Sequence, residues 1–289
     1  MSILTRRNFV VQTSAALAAA RSLYAFDPLR ARNLGVQLYT VRDTIAKEPE
    51  KDLKAIEAMG YGEVEIVYAT LDTIWPALKK TQLKAVSAHV DTAIFMDGGG
   101  KLDDAIANLK EKGFSFIVLP YVPPNQRGGM DTFKKLADVL NKSGQKAKAA
   151  GLTLCYHNHA FEFEPMDGTT GLDVMLKNTD KSLVSLELDI FWASVAGHKP
   201  VEVMKKHADR IALLHLKDKA ADVPVQYNEN VPKSAFKEVG HGTIDIPGVL
   251  AEAKKIPVKN YFVEQDQTPG DPLESLKQSY DYLSAHFSK

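Results

Sequence analysis

Gly151-Leu152-Thr153-Leu154-Cys155-Tyr156-His157-Asn158-His159-Ala160-Phe161-Glu162 is the stretch that decides how this chain folds. A glycine closes the helical pattern before it, and a short apolar run then delivers two histidines and a carboxylate. Residues two apart on a strand share a face. His157 and His159 therefore point the same way, and Glu162 follows in the loop. Three later segments stop in the same manner: Leu186-Glu187-Leu188-Asp189 at Asp189, Ile211-Ala212-Leu213-Leu214-His215 at His215, and Tyr261-Phe262-Val263-Glu264 at Glu264. Each is an apolar run closed by one ligand-type side chain. Parallel neighbouring strands of this kind bring the four ends to one metal-sized site.

Working outward, apolar strand, loop and amphipathic helix alternate from Leu34 onward. The strands are expected at 34–39, 63–67, 83–89, 114–120, 152–157, 183–189, 211–215 and 260–265. Between them fall a helix through Leu53, Ile56 and Met59, another around Ile74–Leu78, and further helices at 102–112 and 131–150. A helix containing Leu172, Val174, Met175 and Leu176 follows, then helices at 200–207, 247–253 and 272–287. Eight strand–helix units with none left over predict an α/β fold, the (β/α)8 TIM barrel. A doubly wound sheet would want a glycine-rich loop after the first strand, and none stands there. No linker or low-complexity run divides the chain, so residues 31–289 are read as a single barrel domain. In such barrels the site lies at the carboxyl ends of the strands, where Tyr39, Glu65, His89, Tyr121, His157, Asp189, His215 and Glu264 fall.

The chain has 289 residues, with Lys plus Arg and Asp plus Glu balanced at 36 each. That balance supplies no overall field for nucleic acid or an anionic membrane. The lone Cys155 excludes an intrachain disulfide and reads as a buried, inert thiol. The N-terminus reads differently. Arg6-Arg7 precedes the mild apolar run Ser14-Ala15-Ala16-Leu17-Ala18-Ala19-Ala20, the pattern of a twin-arginine export signal. The run is too short to span a bilayer, and Ala18, Ala20 and Ala25 offer cleavage sites. Residues 1–30 are accordingly an export signal and leader, and the expected location is periplasmic. That route carries folded proteins, which suits a cofactor loaded before export.

Imidazoles and carboxylates at the strand ends His157, Asp189, His215 and Glu264 suit a divalent ion, Mn, Zn, Co, Fe or Mg, without selecting sharply among them. An ion holding a carbonyl and its neighbouring hydroxyl acidifies the C–H between them and stabilises an enediolate. A carboxylate beside it then moves the proton. Each residue also has a plainer role open to it: Asp189 as a cap on the next turn, Glu264 as a partner of Lys217. Lys217 shares the His215 face and either contacts a substrate oxygen or closes a salt bridge. Trp192 and Phe191 stack on a sugar face or pack the loop. Gly240-His241-Gly242 is a tight turn or a substrate contact, and Arg42 is placed to bind an anionic group.

At these residues the chain resembles the sugar phosphate isomerase/epimerase-like family of the xylose isomerase-like barrel superfamily. The matching pieces are Gly35-Val36-Gln37-Leu38-Tyr39-Thr40-Val41-Arg42, Tyr156-His157-Asn158-His159, Leu188-Asp189, His215-Leu216-Lys217-Asp218 and Glu264-Gln265-Asp266. The resemblance runs from about residue 34 to the end. It implies a metal set of Glu, Asp, His and Glu on strands five to eight, of which Asp189, His215 and Glu264 match. His157 stands where the first glutamate belongs, so either His157 binds the ion or Glu162 swings in from the loop. Two glutamates on opposite sides of the substrate are the usual acid–base pair of the family's epimerases, so this departure bears on mechanism. The catalytic candidates are Glu162, Glu264, His159 and Lys217.

The resulting expectation is a divalent-metal-dependent sugar or keto-sugar isomerase/epimerase working through an enediolate on a free small-molecule sugar. The alternatives are a 3-keto-glycoside lyase or hydratase on the same barrel, and a non-catalytic sugar-binding barrel. No nucleic-acid partner and no stable membrane insertion are expected. Substrate identity and oligomeric state, a homo-oligomer included, stay open at this point.

Overall fold

The structure is a computed structural model and describes residues 34–286. The export signal and leader read at residues 1–30 lie outside the described residues. Eight strands form the barrel: β1 Leu34–Gln37, β2 Glu63–Val67, β3 Lys84–His89, β4 Phe116–Leu119, β5 Thr153–His157, β6 Val184–Asp189, β7 Ile211–Leu216 and β8 Asn260–Val263. All neighbours pair in parallel, and β1 closes the ring by pairing with both β2 and β8. A helix follows each strand on the outside: α1 Pro49–Met59, α2 Leu71–Leu78, α3 Gly100–Glu111, α4 Met130–Ala150, α5 Gly171–Asn178, α6 Pro200–Lys206, α7 Ile246–Ala253 and α8 Pro272–His286. Among the described residues no helix is long and apolar enough to cross a membrane.

The helices lie where apolar spacing puts them. On α4 the buried residues are Phe133, Leu136, Ala137, Leu140, Ser143, Gly144 and Ala147, one stripe at the helical period. Gly151 ends that helix with φ 87°, a left-handed conformation that a side chain would strain, and so aims the chain into β5. The chain leaves β1 and β6 differently from the sequence expectation. β1 stops at Gln37 rather than Tyr39, because the Gln37 side chain accepts the Tyr39 amide and turns Leu38–Val41 into a 3-10 turn. β6 runs without a loop into a short helix, Ile190–Val195, because Asp189 Oδ1 accepts the Trp192 amide at 2.8 Å and caps it.

The barrel interior has an apolar floor and a polar top. Phe116, Val118, Cys155, Leu213 and Phe262 pack together as a plug. Two residues further along their strands, Cys155 gives way to His157, Leu213 to His215 and Phe262 to Glu264. Gly35 makes room for this plug: a Cβ there would lie 2.8 Å from the Phe262 ring and 2.9 Å from the Glu63 carbonyl. The ladders are irregular at two places. Partner register jumps from Ala85 to Ser87 between Val64 and Glu65, and from Ile211 to Leu213 between Leu186 and Glu187. Bulges of this kind re-aim side chains, and both flank an acidic residue of the interior.

Glu63, at the foot of β2, is buried with Asn260 Nδ2 donating to its Oε2 at 2.5 Å. Burial pushes its carboxyl up to about 7, against the Asn260 hydrogen bond and Lys84. A folded-state value above the unfolded one means that Glu63 costs nothing below about pH 4.5 and an increasing amount as pH rises from there to about 7, where the cost levels off. Glu63→Gln keeps the shape without the charge. Thermal melts of variant and wild type should therefore diverge in the variant's favour between pH 5 and pH 8. The expected gain is about 1 kcal/mol after allowance for solvent screening, or roughly 2–4 °C. A constant difference across that range would mean that Glu63 carries no buried charge.

Candidate active site

β6 and β7 deliver the centre of the site. Glu187 Oε2, wholly buried, lies 2.8 Å from His89 Nε2, 3.0 Å from His157 Nδ1 and 3.3 Å from His215 Nε2. Glu65 Oε2 sits alongside, 2.6 Å from His215 Nε2 and 3.0 Å from His89 Nε2. Gln37 Nε2 donates to that same oxygen at 2.8 Å, and Ser87 Oγ donates to Glu65 Oε1 at 2.5 Å. Above this layer His215 turns its other nitrogen, Nδ1, to Glu264 Oε2 at 2.8 Å. Lys217, one step up the same face of the strand, brings its Nζ to 2.5 Å from Glu264 Oε2, 2.6 Å from Asp266 Oδ1 and 2.9 Å from Asp189 Oδ2.

Burial and neighbouring charge set the protonation of these groups in opposite directions. Burial works to lower His89, but Glu65 and Glu187 outweigh it and raise the imidazole to about 9. His215 is likewise carried well above its usual range, against burial, by Glu187, Glu65 and Glu264. Glu65 and Glu264 are held low in spite of burial, Glu65 by His89 and His215 and Glu264 by Lys217 and His215. His157 and His159 go the other way: burial, then His215 for the first and Lys217 for the second, drives both well below the usual histidine range. They are neutral imidazoles at pH 7. Asp266 is pushed up to about 6 by burial, with Lys217 opposing.

The structure brings His157, Asp189, His215, Glu264 and Lys217 together. Glu162 it does not bring in. That carboxylate is wholly buried behind β5, where Oε1 accepts the Tyr156 hydroxyl at 2.6 Å and Oε2 accepts the His159 amide at 2.8 Å. Burial raises it to about 8. Glu162 therefore holds the backbone at His159, and of the two candidates for the first family position only His157 stands among the other ligand-type side chains. His159 lines the cavity, and its Nδ1 is buried without a hydrogen-bond partner. Asp189 and Glu264 also take the plainer roles open to them, cap and lysine partner. Asp218 anchors the Gly240-His241-Gly242 turn by accepting the amides of Gly240, Gly242 and Ile244. Arg42 stacks over Tyr39 at 4.3 Å and donates to its carbonyl.

Sequence reasoning overlooked Glu187, and it gave Glu65 and His89 a place at the strand ends without a role. The signal for Glu187 was available, since it stands two residues before Asp189 on the same strand. A cavity of about 710 Å³ opens above these residues. Tyr39, Tyr68, Ile94, Tyr121 and Trp192 supply an apolar and aromatic wall, and Glu264, Lys217 and Asp266 a charged side. The long connection after β7 folds over the rim with Glu229, Val231 and Phe236. It is pinned there by Arg127, whose guanidinium pairs with Glu229 at 3.0 Å and stacks on the Phe161 ring at 3.7 Å.

These residues fit a divalent ion. Two groups have ligand atoms all within 4.8 Å of one another: His89, His157, Glu187 and His215, and Asp189, His215 and Glu264. Asp189 Oδ2 accepts no hydrogen bond, although Lys217 Nζ lies 2.9 Å away as an unaligned ion pair. Glu187 Oε1 is also without a partner. Asp189 Oδ2 has a cation in Lys217, whereas a buried carboxylate oxygen left bare, as Glu187 Oε1 is, is costly unless a cation serves it.

A closed parallel (β/α)8 barrel with a histidine- and carboxylate-lined mouth defines the class. Residues 53–286 match the xylose isomerase-like TIM barrel family, and the chain belongs to that family. It is 30% identical over 201 residues to an inosose dehydratase of Clostridium beijerinckii, covering 61% of this chain and 66% of that protein. The chain spans about half to two thirds of the length of the curated relatives it matches. Among solved structures, a sugar phosphate isomerase/epimerase from Parabacteroides distasonis superposes with a TM-score of 0.74 at 24% identity, over 89% of this chain and 100% of that one. The IOLI protein with a bound zinc atom superposes at 0.66 and 18% identity, over 89% and 100% of the two chains. At those identities the likeness is one of fold.

Proposed function

We propose that this protein is a divalent-metal-dependent lyase acting on a keto-sugar or keto-cyclitol. It removes the proton beside the ketone and expels the oxygen substituent one carbon further on, as water or as an alcohol. The observation that carries this reading is the loss of symmetry across the cavity. Epimerisation at one carbon wants two equivalent groups, one on each face, and of the expected glutamate pair only Glu264 reaches the cavity. Elimination wants two unlike groups, a base and an acid, and unlike groups are what the site presents. The inosose dehydratase relative, whose name describes a loss of water, supports the same reading.

The bound ion supplies polarisation of the ketone, which acidifies the neighbouring C–H. His159, a neutral imidazole that lines the cavity, takes that proton. Its ring is steadied by the Glu162 carboxylate on its own amide and by Trp192, 5.4 Å away between centroids. On the other side Lys217 keeps the leaving oxygen's surroundings positive, and Asp266, poised at about 6, gives that oxygen a proton. The C–H electrons become the new C=C bond, and the C–O electrons leave with the oxygen. Trp192 and Tyr121 offer faces for the sugar ring. The cavity's further wall at Val67, Tyr68 and Ile94 suits an apolar substituent, which favours a glycoside over a single free ring.

The test is incubation of the metal-loaded protein in heavy water with an inosose and with 3-keto-glycosides. Enone absorbance with release of water or aglycone is the expected result. Deuterium entering one carbon with no group lost would turn the reading to epimerase, and neither signal on the whole panel would sink it. The same proposal places the enzyme in the periplasm through the twin-arginine pattern of residues 1–30. The mass of the protein from an envelope fraction checks this, and an intact Met1 there would count against cleavage.

A further inference from the structure

We propose that the ion is held by His89, His157, His215 and Glu187 at the base of the cavity, and not by the Asp189–His215–Glu264 set in its mouth. This deepens the metal-dependent reading above and rests on it. Around a tetrahedral zinc with ligands 2.0–2.1 Å away, neighbouring ligand atoms stand about 3.3 Å apart. Glu187 Oε2 lies 2.8, 3.0 and 3.3 Å from the three imidazole nitrogens, and all four ligand atoms fall within 4.8 Å of one another. The group is therefore already gathered at coordination spacing, with Glu187, His157 and His215 buried.

Charge separates the two sets. The mouth oxygens are already served by a cation, since the Lys217 ammonium lies 2.9 Å from Asp189 Oδ2 and 2.5 Å from Glu264 Oε2. A divalent ion on the same oxygens would sit against a buried ammonium. No ammonium contacts the inner set.

The chain's own departures point to the same place. His157, standing at the family's glutamate position, supplies the third imidazole. The register irregularities fall beside Glu65 and Glu187, the two carboxylates that the inner set uses. Glu65 Oε2 lies 3.0 and 2.6 Å from the same Nε2 atoms of His89 and His215, itself held by Gln37 and Ser87, and so borders the inner set as a further oxygen.

Tag-free full-length protein loaded with zinc and dialysed should retain one ion, and zinc X-ray absorption on that wild-type sample should show three imidazoles. His89→Gln and Glu187→Gln should each weaken zinc binding by about tenfold or more, with circular dichroism confirming the fold. Asp189→Asn should stay within about threefold of wild type. An ion lost from Asp189→Asn but kept by the other two, or a spectrum with two imidazoles or fewer, overturns the assignment. A wild-type protein that binds no ion overturns it together with the metal-dependent reading. Three imidazoles without turnover on any keto-sugar upholds the site and sinks only the reaction.

Discussion

Lys217→Met is expected to abolish turnover and to lower stability by about 3–5 kcal/mol at neutral pH, the usual result of removing one member of a buried ion pair. Methionine matches the length of the lysine stem, so the loss isolates the ammonium. That ammonium is the shared partner of Asp189, Glu264 and Asp266, with only 2% of its side chain exposed. Asp266 is pushed up to about 6 even with the ammonium present. Without it the three carboxylates repel one another in a low-dielectric mouth, and Asp266, already raised, is pushed further up. A raised carboxylate costs stability above its folded value and nothing below its unfolded one. The deficit should therefore be greatest near pH 8 and shrink toward pH 5. In the wild type, the raised Lys217 contributes fully below the usual lysine value of 10.5 and loses that contribution only as pH climbs through its higher folded value. Melts at pH 5 and pH 8 check the variant. Equal stability of variant and wild type at pH 8 would show that the ammonium is not what holds the carboxylates together.

The fold was legible because each strand of this barrel is a short apolar run, and each outer helix carries its apolar stripe at the helical period. Those are local signals. Most of the mouth was legible for a related reason: alternation along β5 and β7 puts His157 two beyond Cys155, and His215 and Lys217 successively beyond Leu213. Glu162 shows where the local signal ends. It follows two histidines closely enough to look like a ligand, yet the Tyr156 hydroxyl and the His159 amide fold it back behind β5. Glu187 shows the converse. It sits inside an apolar run and reads as an ordinary strand residue until β3, β5 and β7 bring three imidazoles to it. Which residues meet across a barrel depends on register, and register here shifts at Val64/Glu65 and at Leu186/Glu187. Those shifts arise from strand neighbours distant in sequence, so no window along the chain contains them.

Stripping the metal with a chelator is expected to abolish turnover and lower the melting temperature together, and adding back zinc, manganese or cobalt should restore both. An ion that binds only the folded barrel, present at a thousand times its Kd, adds about 4 kcal/mol. For a barrel of this size that corresponds to a shift of roughly 8–16 °C. The interior explains why the effect should be large. Glu65, Glu187, Asp189 and Glu264 are all buried in the barrel, and the metal-free protein balances them with protons on His89 and His215 and with the Lys217 ammonium. A divalent ion replaces two of those protons with two fixed charges. Recovery by several ions would follow from the ligand chemistry, because imidazole and carboxylate discriminate weakly among them. If the stripped protein kept its melting temperature but lost turnover, the ion would be bound too loosely to brace the barrel. If it kept both, the imidazole–carboxylate layer would be a proton-bridged network that holds the barrel mouth without any metal.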